Sequence, residues 1–171
     1  MKLETERLLL RPIEQSDMGQ LLPLLKNDVI KQTYMIPDFP SEESAVRLAK
    51  RFIDLSQGEE KLVVGIALDG RLIGFLNETE KGEGWIEVGY ALHPGFHGRG
   101  YMTEALGAVI DTLLRSGISA VIAGAFEENR ASIRVMEKCG MKRMDRTETI
   151  AYRMKQHRCV YYMIEKTEEQ A

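Results

Sequence analysis

The segment from His93 to Ala105, HPGFHGRGYMTEA, combines residue types that could bind an anion. Glycine and proline crowd its first half, and a helical pattern follows at once. A helix N-terminus carries unpaired backbone N–H groups and a partial positive charge, which together favour an anion. Gly98 and Gly100 would let the backbone approach a phosphate without an intervening Cβ. A ligand-free turn from strand to helix needs similar glycines, so their number alone favours that plainer interpretation.

Two familiar phosphate-binding motifs do not match this segment. A P-loop requires Gly-Lys-Ser/Thr at the start of its helix, and none is present here. A dinucleotide-binding fingerprint requires three glycines at its own spacing and an acidic residue at the end of the next strand, where Ala125-Phe126 stands. Any phosphate chemistry at this segment therefore belongs to another kind of loop.

The elements around the segment predict how it is positioned. Residues 84–92 alternate as a strand does, with Ile86 and Val88 on one face and Glu87 on the other. An amphipathic helix then runs from Met102 and ends at Ser116-Gly117. Residues 118–126 are almost wholly apolar, which is typical of a strand buried on both faces. This order predicts a mixed sheet with one parallel crossover through the helix.

The rest of the chain predicts further short elements on either side. Gly, Pro, Asp and Ser positions set most of their boundaries. They are a strand at 7–13; a helix after Ser16-Asp17 with Pro23 in its first two turns; a helix capped by Ser41 with an acidic partner three residues on; a hairpin of 61–68 and 71–77 through Asp69-Gly70; a polar turn at 80–83; a helix from Asn129 to Cys139 closed by Gly140; a closing hairpin of 147–152 and 159–164; and a frayed polar tail at 166–171.

Length and composition predict a single domain over residues 1–171, since 44% of the residues are hydrophobic and 29% charged. The net charge of -3 argues against nucleic acid or a membrane surface as the main partner. Cys139 and Cys159 have neither metal-ligand spacing nor the number for a disulfide framework. Charged residues interrupt the N-terminal apolar run, so neither a signal peptide nor a transmembrane segment is predicted. We expect a cytoplasmic protein.

Three stretches resemble the GNAT acetyltransferase superfamily, and within it the RimJ/RimL-like branch. They are residues 89–94 (GYALHP), 97–105 (HGRGYMTEA) and 129–141 (NRASIRVMEKCGM), with matching flanks at 4–11 (ETERLLLR) and 158–162 (RCVYY). The resemblance spans most of the chain and reverses the preference for a ligand-free turn. It implies an α/β, GNAT-like three-layer fold with a central, mostly antiparallel sheet, one parallel crossover and helices on both faces. It also implies acetyl-CoA as co-substrate.

The resemblance carries a set of cofactor-binding positions onto this chain. Backbone N–H groups of the acetyl-CoA loop would hold the pyrophosphate, and the pantetheine arm would lie along the strand before the loop. Asn129 would contact the cofactor arm and can also cap its own helix. Arg134 could meet the adenosine 3′-phosphate, although nearby acids make a solvated mixed-charge face the safer interpretation. The loop positions are His97, Gly98, Arg99, Gly100, Tyr101, Met102 and Thr103, and the strand positions are Tyr90, Ala91 and Leu92.

Two loop positions depart from the family pattern, which reads Gln/Arg-x-x-Gly-x-Gly/Ala. His97 takes the place of the first residue, and its charge would depend on pH because an imidazole titrates near neutrality. An exposed loop histidine without a role is an equally good interpretation of His97. Met102 takes the place of a small residue, which puts in question how closely the helix start approaches the ligand.

The catalytic positions implied by the resemblance are less complete. Many GNAT enzymes protonate the departing thiolate with a tyrosine, and Met136 occupies that position here. Ser132 is our candidate proton donor or thiol-positioning group, and a small packing residue is the alternative. Glu87 resembles the strand glutamate that some members use as general base, and a solvated charge is the alternative. Glu78 and Glu80 are weaker candidates. The three histidines do not have the spacing of metal ligands, so no metal is expected.

These features predict an N-acetyltransferase that moves an acetyl group from acetyl-CoA to a primary amine by direct attack in a ternary complex. Neither cysteine is placed to suggest an acyl-enzyme. The resemblance implies that the acceptor is a protein N-terminal α-amine or a small-molecule amine, bound in a groove that this fold builds from the first two helices and the late hairpin. The enzyme would be a monomer or a homodimer. The alternative is a non-catalytic module that binds CoA as a sensor or scaffold. A transferase acting on aminoacyl-tRNA would need a basic groove that this acidic chain does not show.

Overall fold

The computed structural model describes residues 1–167, and this part of the chain contains eight strands and five α-helices. The strands are β1 (Leu3–Glu4), β2 (Leu9–Arg11), β3 (Val63–Leu68), β4 (Arg71–Gly82), β5 (Trp85–Leu92), β6 (Ala120–Phe126), β7 (Lys142–Tyr152) and β8 (Lys155–Glu165). The helices are α1 (Met18–Lys26), α2 (Asp28–Lys31), α3 (Glu42–Gln57), α4 (Tyr101–Arg115) and α5 (Arg130–Lys138). The predicted frayed tail lies, from residue 168 on, outside the described residues. Within them, the Lys166 N–H donates to the Ser119 carbonyl over 2.8 Å.

The strands form one sheet in the order β1-β2-β3-β4-β5-β6-β8-β7. Its ladders are mostly antiparallel, and β5 and β6 form a parallel pair on either side of α4 in the chain. This confirms the predicted mixed sheet with one parallel crossover. The β5–β6 ladder runs from Trp85↔Ala120 to Val88↔Ala123, whereas β5 itself continues to Leu92 and β6 to Phe126.

The described chain divides into two compact units. The first consists of Met1–Glu78 with Tyr90–Tyr101, and the second of Thr79–Gly89 with the chain from Met102 onward. The single domain expected from length and composition stays a prediction.

The first unit packs α1, α2 and α3 with Ile13, β3, the start of β4 and the end of β5 around one apolar core. Phe75 is fully buried there, and Tyr34 and Phe52 meet its ring edge-on with centroids 5.4 Å and 5.0 Å away. The Asp69-Gly70 turn joins β3 to β4 with φ values of 49° and 80°, which is the geometry that the sequence predicted for this hairpin.

A buried ion pair fixes the passage from β2 to α1. The Arg11 guanidinium donates to both carboxylate oxygens of Asp17, over 2.6 Å and 2.8 Å. The Glu14 N–H also donates to this carboxylate over 2.8 Å. Burial raises the pKa of the Asp17 carboxyl, but the hydrogen bonds from Arg11 and Glu14 outweigh it and hold the pKa below its usual range. Asp17 is therefore an ionised junction residue with its charge paired.

The second unit is built on β6, which pairs with β5 on one side and β8 on the other. The long β7–β8 hairpin packs Tyr161, Cys159 and neighbouring apolar residues against Ile122. Helix α4 buries one apolar stripe, as its periodicity predicted. The stripe consists of Met102, Ala105, Leu106, Val109, Ile110, Leu113 and Leu114.

Several predicted boundaries were wrong. The partner of Ser41 in the α3 capping box is Ser44 rather than an acid. Residues 80–82 of the predicted polar turn at 80–83 instead form the end of β4, and the chain turns at Glu83-Gly84 with a Gly84 φ of 78°. Helix α2 was not predicted; its signal is Asn27, whose side chain accepts from the Val29 and Ile30 N–H groups. The late strands are longer than predicted because each pairs with the other beyond its apolar centre.

Candidate functional site

The glycine loop, residues 93–100, follows β5 and leads directly into α4. A short 3-10 turn, Pro94–Phe96, opens it, and the His93 ring accepts the Gly95 N–H over 3.1 Å. Gly98 and Gly100 have φ values of 74° and 81°, in the left-handed region that strongly favours glycine. A Cβ placed on Gly98 would meet no atom within 4 Å, so the backbone conformation rather than crowding requires glycine there. Helix α4 begins at Tyr101, one residue after Gly100.

His97 bonds back to the end of β5. Its Nε2 lies 2.8 Å from the Leu92 carbonyl oxygen. Because a carbonyl can only accept, Nε2 must carry the proton in this arrangement. The ring is therefore fixed to the last residue of the predicted pantetheine strand, Tyr90 to Leu92, although the side chain is exposed.

Arg7 contacts the glycine loop, which sequence reasoning missed. Its Nη1 donates to the Arg99 carbonyl over 2.9 Å, and its guanidinium carbon lies 4.5 Å from the Tyr101 ring centroid. A Cβ on Gly100 would lie 3.4 Å from Arg7 Nη2. Arg7 stands in the stretch ETERLLLR that carried the family resemblance, but no spacing rule connects it to a loop 92 residues away.

The first turn of α4 contains the two remaining loop positions. Met102 is only 6% exposed and belongs to the buried stripe of the helix, so its bulk is accommodated by packing. The Thr103 carbonyl accepts a weak hydrogen bond from Cys139 Sγ over 3.4 Å. The larger residue at position 102 therefore does not prevent the helix from beginning at Tyr101.

Glu87, the candidate base on β5, is held by two neighbours. Arg146 Nη1 donates to Glu87 Oε2 over 3.0 Å, and Thr79 Oγ1 donates to Oε1 over 3.1 Å. The Glu87 side chain is only 14% exposed. The simple alternative of a solvated surface charge is therefore wrong, because this carboxylate is largely buried and paired. Its role as a base stays a prediction.

Arg146 belongs to a wider cluster on the late hairpin. It also donates to Glu148 over 2.7 Å and 2.9 Å, and its guanidinium carbon lies 3.8 Å from the Tyr161 ring centroid. The Tyr161 hydroxyl donates to Glu148 over 3.1 Å. Burial, together with Cys159 and Glu148, raises the pKa of Tyr161 above its usual range, so this hydroxyl stays protonated. Sequence reasoning missed this cluster because it joins Arg146 and Glu148 of β7 to Tyr161 of β8.

Asn129 is the N-cap of α5, as predicted. Its Oδ1 accepts the Ser132 N–H over 3.2 Å. Ser132 is half-buried in the first turn, and Met136 is fully buried, so the residue at the family's tyrosine position packs in the core. The cap fixes the backbone at Ser132, while the cofactor contact of Asn129 and the role of the Ser132 hydroxyl stay predictions.

The charged face of α5 presents an exposed Arg134. Two of the neighbouring acids bind elsewhere. Glu127 pairs with Arg143 over 3.1 Å, and Glu128 accepts from the His157 ring over 2.5 Å. His157 holds the pKa of the Glu128 carboxyl below its usual range. Contact of Arg134 with a phosphate stays a prediction.

The weaker base candidates differ from Glu87 in their surroundings. Glu78 is 8% exposed, and its carboxylate accepts the Leu62 N–H over 3.3 Å, so this side chain binds the backbone within the first unit. Glu80 is exposed on β4. No group of three His, Cys, Asp or Glu side chains in residues 1–167 is arranged to hold a metal ion. In the same residues, no helix has the length and apolar character needed to cross a membrane.

Both cysteines are poor nucleophiles. Burial raises the pKa of Cys139 to about 11 and also raises the pKa of the Cys159 thiol. Since the thiolate is the reactive form, both groups are almost wholly protonated at neutral pH.

Comparison with known proteins bears directly on this geometry. Residues 7–142 match the family model described as the acetyltransferase (GNAT) domain. The "Uncharacterized N-acetyltransferase YnaD" of Bacillus subtilis (strain 168) is 31% identical over 147 residues, which cover 84% of each chain. A GNAT-family acetyltransferase from Bacillus anthracis has the same fold, with a TM-score of 0.83 and 24% identity, covering 97% of this chain and 99% of its own.

A second solved structure is RimL, a ribosomal α-N-protein acetyltransferase in complex with coenzyme A. It has a TM-score of 0.83 and 20% identity, with 96% of this chain and 98% of its own covered. At this identity the likeness concerns the fold. Together with the left-handed glycines before α4, the family match over most of the chain leads to one conclusion: this chain belongs to the GNAT acetyltransferase family and is an acyl-CoA-dependent acetyltransferase.

Proposed function

We propose that the protein transfers the acetyl group of acetyl-CoA to a primary amine, which is a protein N-terminal α-amine or a small-molecule amine. The observation that carries this proposal is the backbone of the glycine loop. Gly98 and Gly100 take left-handed conformations directly before an α-helix of 15 residues. Such a backbone offers a row of N–H groups at the positive end of a helix dipole, as a pyrophosphate requires.

In this proposal the cofactor is held mainly by backbone groups. The N–H groups from Gly98 through Thr103 bind the pyrophosphate, and His97 directly precedes this stretch. The pantetheine arm pairs with backbone groups of Tyr90, Ala91 and Leu92. Asn129 contacts the cofactor arm, and Arg134 the adenosine 3′-phosphate. Acetyl-CoA supplies the activated thioester.

The chemistry needs two protons to leave the nitrogen. Glu87 accepts the first from the acceptor ammonium, and the free amine then attacks the thioester carbonyl carbon. When the carbon–sulfur bond breaks, the nitrogen loses its second proton and the CoA sulfur takes one up. Ser132 donates its hydroxyl proton to the sulfur and takes up the proton that the nitrogen loses, so the hydroxyl is restored. Arg146 and Thr79 support Glu87 by fixing its carboxylate over 3.0 Å and 3.1 Å.

The cysteine environments support direct attack rather than an acyl-cysteine intermediate. A covalent route needs a thiolate, and burial raises the pKa of both Cys139 and Cys159. The acetyl group therefore passes in one step from CoA to the amine in a ternary complex.

The test is the release of CoA thiol from acetyl-CoA in the presence of a panel of amines. One arm contains peptides with free N-termini, and the other contains amino acids, polyamines and aminoglycosides. We expect amine-dependent release in one arm, which would also identify the acceptor class. CoA binding without release for any amine would favour the non-catalytic sensor or scaffold instead. A cytoplasmic location and a monomeric or homodimeric state stay predictions.

A further inference from the structure

Arg7 and the glycine loop are 92 residues apart in sequence but in direct contact. The guanidinium lies against three consecutive residues, Arg99 and Gly100 of the loop and Tyr101 at the start of α4. It donates to the Arg99 carbonyl over 2.9 Å, approaches the position of a Gly100 Cβ to 3.4 Å and stacks on the Tyr101 ring at 4.5 Å. A planar guanidinium is suited to this combination, because it can donate in its plane while its face packs on an aromatic ring.

The bond to Arg99 has a consequence for the next N–H group. In a trans peptide the carbonyl oxygen and the amide hydrogen point in opposite directions across the same plane. A donor that bonds to the Arg99 carbonyl therefore also directs the Gly100 N–H away from Arg7. Gly100 has a φ of 81°, and glycine reaches both signs of φ readily, so this peptide would otherwise be free to reorient.

We infer that Arg7 is a positioning residue for the acetyl-CoA loop: it sets the Arg99–Gly100 peptide plane so that the Gly100 N–H is directed at the pyrophosphate before the cofactor arrives. The inference rests on the proposed function, since it assumes that the loop holds the pyrophosphate. Preorganisation of this kind raises affinity by reducing the ordering that binding would otherwise require.

The packing on Tyr101 extends the same argument to the start of α4. Tyr101 is the first residue of the helix, and its ring also lies 6.4 Å from the Phe96 ring. Arg7 therefore braces the loop on both sides of Gly100, at a carbonyl before it and a ring after it. Arg71 lies further out, with its guanidinium carbon 5.8 Å from the Phe96 ring centroid.

The experiment compares CoA binding by titration calorimetry in the wild type and in Arg7→Gln, Arg7→Lys and Arg71→Gln. We expect Arg7→Gln to weaken CoA binding about tenfold, the size of one charge-assisted hydrogen bond. Arg7→Lys should weaken CoA binding nearly as much, because an ammonium cannot both stack on the ring and donate to the carbonyl. Arg71→Gln removes the same charge beside the same loop and should bind CoA as the wild type does.

Amide hydrogen exchange of ligand-free protein provides the second readout. We expect the peptide covering His97 to Thr103 to exchange faster in Arg7→Gln, with an unchanged Tm. Unchanged CoA affinity or unchanged exchange in Arg7→Gln, wild-type affinity in Arg7→Lys, or an equal loss in Arg71→Gln would each overturn the inference. A wild-type protein that binds no CoA would instead contradict the proposed function, and with it the inference.

Discussion

Glu87 is prepared for its proposed role by contacts within the protein. Arg146 and Thr79 each bind one oxygen of its carboxylate, and a carboxylate has further lone pairs with which to accept a proton. Arg146 also donates to Glu148, so one guanidinium holds both carboxylates.

Replacing Glu87 with glutamine should lower kcat about a hundredfold, the usual size of a general-base contribution, and leave the KM for acetyl-CoA unchanged. Steady-state kinetics with the best amine of the panel would measure both. Glu148→Gln is the matched control, because it removes a neighbouring carboxylate that is not proposed to take a proton. Equal kcat values for Glu87→Gln and the wild type would remove Glu87 from the mechanism.

Ser132→Ala should lower kcat about tenfold and change the Kd for CoA by less than about twofold, because the hydroxyl is proposed to act on the departing sulfur. The backbone bond from Ser132 to the Asn129 cap does not need the side chain, so α5 should remain folded. Ser116→Ala, which removes a hydroxyl that donates to the Leu113 carbonyl, is the remote control. An unaltered kcat would leave Ser132 as a packing residue.

Sequence reasoning reached some of these residues and missed others for a physical reason. Gly98 and Gly100 could be predicted because their positive φ values express a local backbone requirement. The Asn129 cap is local in the same sense. Arg7 and Arg146 act over 92 and 59 residues, respectively, and such contacts depend on the whole folded sheet. No residue type or spacing in the sequence predicts these long-range contacts.

Among the structural elements, the glycine loop and the start of α4 are proposed to bind the pyrophosphate together. Gly100→Ala should weaken CoA binding about tenfold, because alanine costs roughly 1–2 kcal/mol in a left-handed conformation and the loop would relax away from it. Calorimetry would measure the affinity. Gly107→Ala, in the middle of α4, meets no atom within 4 Å and should keep wild-type affinity and gain about 0.5–1 kcal/mol of stability. Wild-type affinity in Gly100→Ala would contradict the loop's assignment to the pyrophosphate.

The junction between β2 and α1 should make stability depend on pH. Because the folded-state pKa of Asp17 lies below its unfolded value of about 3.9, its contribution is fully present above that value and is lost as the pH falls through the folded pKa. At pH 7, Asp17→Asn should lower the free energy of unfolding by about 3 kcal/mol, since it leaves the largely buried Arg11 guanidinium without its carboxylate partner.

Urea denaturation of wild type and Asp17→Asn at several pH values tests this prediction. The difference between the two should shrink steadily below about pH 4. Lys26→Gln, which breaks the exposed pair with Glu42, is the control and should cost less than about 1 kcal/mol. A pH-independent difference would show that Asp17 acts by packing and not by its charge.

Some helices and strands could be predicted from the sequence pattern. Alternation identified β5, the 3.6-residue period identified α4, and the apolar run identified β6 as a strand buried on both faces, five of whose seven residues are buried. The polar residues at the end of β4 and at the start of β7 were missed because they have no apolar pattern of their own. Those of β7 are strand residues because they pair with β8.

For the molecule as a whole, family membership and site chemistry agree on one reaction class. The two cysteines should be dispensable for catalysis. Cys139→Ser should retain kcat within about twofold, because burial raises the pKa of Cys139 to about 11 and leaves little thiolate at neutral pH. Initial rates with both substrates varied would complete the test. A loss of all activity together with parallel-line kinetics would indicate a covalent cysteine route.

The most direct test of acetyl transfer itself follows a radiolabelled acetyl group. Labelled acetyl-CoA would be incubated with the protein alone and with the best amine of the panel, and label would then be measured on the protein, the amine and CoA. Direct transfer predicts label on the amine in proportion to CoA released, and none bound covalently to the protein without amine. Label that stays on the protein, or an amine that never acquires it, would contradict direct acetyl transfer to the amine.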